Sequence, residues 1–143
     1  MKKILAGLLL IAPLTANADN WLCIVDKSTG FKLENGTWEI GNFNPDKYLI
    51  KPADKVSSSA GALYQVNSFG SELPEYICPT GFEDGEYKGI LDCRGFAIRG
   101  DTFKFNLTTG HFLSTYTSGY VHTSKGKIVD DNPAIQIGKC SKL

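Results

Sequence analysis

From residue 19 onward the chain is written in short apolar runs, each broken after a few positions by glycine, proline, asparagine or serine. Trp21-Leu22-Cys23-Ile24-Val25 is the first. Phe31-Lys32-Leu33 and Trp38-Glu39-Ile40 alternate apolar and polar residues on either side of Glu34-Asn35-Gly36-Thr37. In an extended chain such alternation sends one set of side chains to one face. Asn-Gly between two alternating runs predicts a hairpin, because both residues tolerate positive φ. Tyr48-Leu49-Ile50 predicts a strand that Pro52 stops, and Ala62-Leu63-Tyr64-Gln65-Val66 predicts another after the Ser57-Ser58-Ser59 loop. Ser57 to Gly61 has room for one helical turn.

The same reading continues to the C-terminus. Tyr76-Ile77-Cys78 and Gly89-Ile90-Leu91-Asp92-Cys93 flank a turn near Asp84-Gly85. Phe103-Lys104-Phe105 faces Phe112-Leu113-Ser114 across Thr109-Gly110, and Val121 and Ile135-Gln136-Ile137 complete the set of strands. No segment holds a 3.6-residue apolar period for three turns, so no long helix is expected. The fifteen glycines punctuate short strands. The fold class expected is all-β, an antiparallel sandwich or small barrel.

The first 18 residues do not fit this rhythm. Lys2-Lys3, an apolar stretch from Ile4 to Leu14 broken by Pro13, and Ala16-Asn17-Ala18 stand in the order of a cleavable secretion signal. The apolar stretch is shorter than the ~20 residues of a membrane-spanning helix, and no later run is longer. The expected organisation is a signal peptide, 1–18, followed by one β domain, 19–143. No stable membrane insertion is expected after cleavage, and the expected address is the periplasm or the medium. Removing Lys2 and Lys3 leaves 13 basic side chains against 15 acidic ones, a formal charge of −2. A chain without a basic cluster argues against a nucleic-acid partner.

Export changes how the cysteines are read. Cys23, Cys78, Cys93 and Cys140 are an even set, and in an oxidising compartment they suggest two disulfides. They lack the C-x-x-C pairs of a structural zinc site, so no metal and no cofactor is expected. Four cysteines allow three pairings. The order cysteine, F-K-apolar hairpin, aromatics, cysteine recurs in residues 19–79 and 88–143. Such a half-repeat would suit Cys23–Cys78 with Cys93–Cys140. A barrel closed by its first and last strands would suit Cys23–Cys140, with Cys78–Cys93 stapling a hairpin. The second is favoured because Cys78 and Cys93 flank one turn.

Two resemblances rest on particular residues. W-L-C-I-V-D-K-S-T-G-F at 21–31, and F-L-S-T-Y-T-S-G-Y with D-N-P-A-I-Q-I-G-K-C-S-K-L near the end, resemble a group of small uncharacterised exported bacterial proteins. That resemblance implies export and assigns no activity. Ser59-Ala60-Gly61-Ala62-Leu63-Tyr64 is similar to the Ser-Gly-x-x-Tyr loop of periplasmic inhibitors of c-type lysozyme, with the serine displaced by one position. It implies a small barrel whose Ser59, Gly61 and Tyr64 enter an enzyme cleft. The second loop of those inhibitors, rich in Trp, Lys and Gly, has no counterpart after Tyr64.

Catalytic chemistry finds little purchase. His111 sits beside the Thr109-Gly110 turn, His122 follows Tyr120-Val121, and no G-x-S-x-G elbow appears. Glu83, Asp84 and Glu86, or Asp130 and Asp131, could pair as carboxylates. Asp130-Asp131-Asn132 offers oxygen ligands for calcium, but without EF-hand spacing. The aromatics carry the better argument. As one extended strand, residues 112–122 would line a single face with Phe112, Ser114, Tyr116, Ser118, Tyr120 and His122, and tyrosine suits binding surfaces. The function expected is a non-enzymatic periplasmic or secreted binding protein whose partner is a protein or envelope component, in one form an inhibitor of an envelope-directed enzyme. The alternatives are a small hydrolase acting on envelope glycans or peptides, and an accessory piece of an envelope assembly.

Overall fold

The first two apolar runs belong to one strand of 14 residues, Trp21–Glu34 (β1). Its length lets it serve two neighbours along one edge: residues 21–24 pair with Lys47–Pro52 (β3), and residues 29–34 pair with Thr37–Asn42 (β2). The computed structural model describes residues 19–81, 88–97, 100–121, 123–124, 127–128 and 132–143. The expected secretion signal 1–18, the Glu83–Glu86 turn, His122 and Asp130-Asp131 lie outside the described residues.

After β3 come a short helix, Lys55–Ser59 (α1), and the strands Tyr64–Ser68 (β4), Tyr76–Gly81 (β5), Ile90–Gly95 (β6), Thr102–Asn106 (β7) and His111–Tyr116 (β8). A helical turn, Ser118–Val121 (α2), and a two-stranded ribbon, Thr123–Ser124 (β9) with Lys127–Ile128 (β10), precede Ala134–Lys142 (β11). The strand order is β11-β8-β7-β6-β5-β4-β3-β1, and β11 returns to pair with β1. Every pairing is antiparallel, so eight strands close a barrel and β2 hangs on β1 outside it. Closure leaves no edge on the eight strands. Among the described residues, no helix is long and apolar enough to cross a membrane.

The alternation places the core inside the barrel. Cys23 and Val25 of β1, Tyr48 and Ile50 of β3, Phe103 and Phe105 of β7, and Phe112 and Ser114 of β8 point inward and are buried. Phe103 and Phe112 stack at 5.0 Å between ring centroids. Burying a ring of this size contributes about 1.5–3 kcal/mol. One end of the barrel is plugged by Trp21, set edge-on to Tyr64 at 5.8 Å and to Phe105 at 5.6 Å. Gly138 lets Phe112 lie against β11, since a Cβ there would run into the ring and the Ile24 carbonyl oxygen.

The disulfides are Cys23–Cys140 and Cys78–Cys93. Cys23 and Cys140 are direct partners across the β1–β11 seam, so this bridge locks the closure itself. The first hairpin turns on Asn35 and Gly36, both at positive φ (50° and 81°), as the Asn-Gly signal requires. Phe31 of that hairpin is half-exposed outside the barrel, whereas Phe103 and Phe105 of the other F-K-apolar hairpin are core.

One expectation is corrected. Val121 and the rest of 118–121 are helical rather than extended, so the single strand face expected from Phe112 to His122 stops at Tyr116. Asp101 explains the break: its Oδ1 accepts from the Thr117 backbone N at 2.9 Å and the Ser118 hydroxyl at 3.3 Å, turning the chain off the sheet.

Candidate functional site

The end of the barrel opposite Trp21 is polar. It is built where β3 and β11 begin, β4 ends, β5 begins and β8 ends. A cavity of about 230 Å³ opens here, lined by Phe43, Asp46, Tyr48, Glu75, Tyr76, Ser114, Tyr116, Ala134 and Gln136. A second lobe of about 140 Å³ adjoins it, sharing Glu75, Tyr76 and Tyr116 and adding Asp101.

Each carboxylate is placed by backbone. Asp46 follows β2 in the turn into β3, and its carbonyl accepts from the Val25 backbone N at 3.1 Å. Glu75 donates its backbone N–H to Val66 at 2.8 Å, and its carbonyl accepts from Phe96 at 2.7 Å. The segment before Glu75 is held by a buried amide chain on the outer face of β4. Gln65 Nε2 donates to Asn67 Oδ1 at 3.0 Å, and Asn67 Nδ2 donates to the Glu72 carbonyl at 3.0 Å. Asp101 is buried, with its carbonyl accepting from Gly95 at 2.8 Å.

The centre of the site is Gln136. Its Oε1 accepts from the Tyr48 hydroxyl at 2.6 Å and the Ser114 hydroxyl at 3.2 Å, and its Nε2 donates to Asp46 Oδ2 at 2.6 Å. Glu75 Oε2 accepts from the Ser68 hydroxyl at 2.7 Å. Each of Asp46, Glu75 and Asp101 thus uses one oxygen in hydrogen bonds to the protein. Among the described residues, none of the three forms an ion pair. Burial holds the Glu75 carboxyl above its ordinary value, and the charges of Asp46 and Asp101 add to this while the Ser68 hydrogen bond opposes it. Burial first, and the neighbouring negative charges after it, likewise push the Tyr48 and Tyr76 phenols upward.

Around this mouth, two hydroxyls make no hydrogen bond to a described residue. Tyr76 is 6% exposed and lines both lobes, yet its hydroxyl makes no hydrogen bond to a described residue. Ser28, the cross-strand partner of Gln136, buries its Oγ unpaired. A buried polar group without a partner costs about 1–3 kcal/mol.

The residues expected to bind are divided by the fold. Tyr116 reaches the polar mouth. Tyr120 lies outside the barrel against Trp38, 5.3 Å between centroids, in a separate apolar cleft of about 420 Å³ with Phe31, Thr117 and Pro133. Ser59 ends α1 and Gly61 follows it, both exposed, whereas Tyr64 packs inward against Trp21. His111 is exposed at the start of β8. Sequence reasoning missed Asp46, Glu75, Tyr76, Asp101 and Gln136. The available signal was parity: Gln136 lies between Ile135 and Ile137, at the position that faces inward when those two face out.

Comparison with protein-family models, with curated proteins and with solved structures returns no match.

Proposed function

We propose that this chain is an exported, non-enzymatic binding protein that takes its ligand at the polar mouth of the barrel. The observation that carries the reading is the grouping of Asp46, Glu75 and Asp101 around one mouth with no ion pair among the described residues. Tyr76 lines the same wall, and its hydroxyl faces the cavity without a hydrogen bond to a described residue. Polar groups in such a wall normally find partners, and a bound ligand would supply them. Small barrels commonly hold ligands at an open end. The apolar lumen is filled by Phe103, Phe105 and Phe112, which leaves the mouth as the place for a ligand. Export rests on the order of charged, apolar and small residues in 1–18 and agrees with two disulfides.

The test is a ligand screen by NMR on the oxidised protein, with resonances of residues 46, 75, 76, 114 and 136 assigned. Ligands that shift this set support the mouth. Ligands that shift only the Trp38–Tyr120 cleft overturn it.

A second reading has its own observation. Among the described residues β2 pairs with β1 alone, which leaves its outer edge without a strand from them and suits an accessory piece of an envelope assembly joined by strand addition. Sedimentation of wild type against Ile40→Pro tests it. Self-association or partner capture that survives a proline in β2 contradicts strand addition there.

A further inference from the structure

We propose that the ligand of this mouth is a small organic cation, an alkylammonium about the size of a lysine side chain, held by Asp46 and Glu75 against the rings of Tyr48, Tyr76 and Tyr116. The inference rests on the reading that the mouth is the binding site, and it names the chemistry of the occupant.

Charge is the first argument. Asp46 and Glu75 line the main lobe and Asp101 the adjoining one, and no cation among the described residues pairs with them. Asp46 Oδ1 and Glu75 Oε1 have no hydrogen-bond donor from the described residues, because the bonds present go to Oδ2 and Oε2. An anion would enter a field of its own sign. A cation would relieve the mutual repulsion that, together with burial, now raises the Glu75 carboxyl.

The walls are the second argument. Phe43, Tyr48, Tyr76 and Tyr116 surround the main lobe with aromatic rings. Ring faces attract ammonium groups within about 6 Å of the centroid. The protein already shows this chemistry at the rim, where Lys32 Nζ lies 5.6 Å from the Phe43 centroid. A metal ion fits less well. Among the described residues, no group of three His, Cys, Asp or Glu is placed to hold one ion. The Tyr76 hydroxyl, which lines the lobe and makes no hydrogen bond to a described residue, supplies the remaining polar contact, as an acceptor for an ammonium N–H.

Size is the third. At ~30 Å³ per water, a lobe of about 230 Å³ has room for roughly seven waters, or a chain of about that many heavy atoms.

The experiment is isothermal titration of the oxidised protein at low salt with 1,5-diaminopentane, 1,5-pentanediol, pentanoate and calcium chloride, each repeated while following the NMR signals of Glu75 and Tyr76. The diamine is expected to bind at least tenfold more tightly than the diol. Glu75→Gln and Asp46→Asn are each expected to weaken it about tenfold, with Tyr76→Phe weakening it a few-fold. Thermal melts confirm that the variants fold, and either carboxylate variant suffices if the other does not. Diol or pentanoate binding at the mouth as well as the diamine overturns the cation and leaves the mouth standing. Calcium binding there in preference to the diamine does the same. If no compound moves the mouth signals, the binding reading falls with it.

Discussion

Tyr48 and Gln136, 88 residues apart in sequence, meet at the open end of the barrel with the phenol hydroxyl 2.6 Å from the amide oxygen. The contact exists only because β11 returns to β1 and β1 lies beside β3. Gln136 then links Ser114 of β8 and Asp46 of the β2–β3 turn. One amide therefore ties together segments that sequence keeps far apart.

That hub makes the first expectation. Tyr48→Phe removes one hydrogen bond and leaves Gln136 its Ser114 donor, so the loss should be about 1 kcal/mol. Gln136→Leu strands the Tyr48 and Ser114 hydroxyls together, with a loss of about 2–4 kcal/mol from two buried orphans. Urea denaturation of both variants checks the order. Equal losses would show that Gln136 is not the hub.

The two disulfides should not be equivalent. Cys23–Cys140 spans 117 residues and Cys78–Cys93 spans 15. The chain-entropy estimate gives about 5 kcal/mol for the longer loop and about 3 kcal/mol for the shorter. Cys23→Ser with Cys140→Ser should therefore lower the denaturation midpoint more than Cys78→Ser with Cys93→Ser. The reverse order would mean that the seam bridge does not govern closure.

Gly138 is a packing requirement. A Cβ at this position would run into the Phe112 ring and the Ile24 carbonyl oxygen, so a methyl group has no place. Gly138→Ala should cost about 1–3 kcal/mol by overpacking, seen as a lower unfolding temperature. An exposed control, Ser59→Ala, should be near neutral.

Glu75 sets a pH dependence. Its folded-state carboxyl is raised above the ordinary 4.5. An acid raised on folding binds more protons in the native state, so its stabilising contribution is complete below the ordinary value. That contribution is lost as pH climbs through the raised value. Thermal unfolding from pH 4 to 7 should show wild type losing stability relative to Glu75→Gln over this window. Parallel curves would mean that Glu75 is not strained by burial.

Much of the architecture was legible in the sequence because it is local. Asn35-Gly36 dictates its turn through two positive-φ residues. Alternation put Phe103 with Phe105, and Phe112 with Ser114, on common faces; that these faces point into the barrel, Phe112 as core rather than binding surface, follows from its closure. Val121 misled because its apolar character was read without Asp101, whose capping of residues 117 and 118 ends the strand. The polar mouth was hidden for a different reason. Asp46, Glu75, Asp101 and Gln136 lie in four separate segments, and only closure of the barrel assembles them. Tyr116 and Tyr120 looked alike in sequence, yet one turn of helix sends them to separate clefts.

A crystal structure of the oxidised protein soaked with 1,5-diaminopentane tests the central claim most directly. The expected result is an ammonium nitrogen ~3 Å from a carboxylate oxygen of Glu75 or Asp46, a charge-assisted hydrogen-bond distance, with its chain against Tyr76. Density for the diamine only in the Phe31–Trp38–Tyr120 cleft, or an empty mouth at saturating diamine, would contradict it.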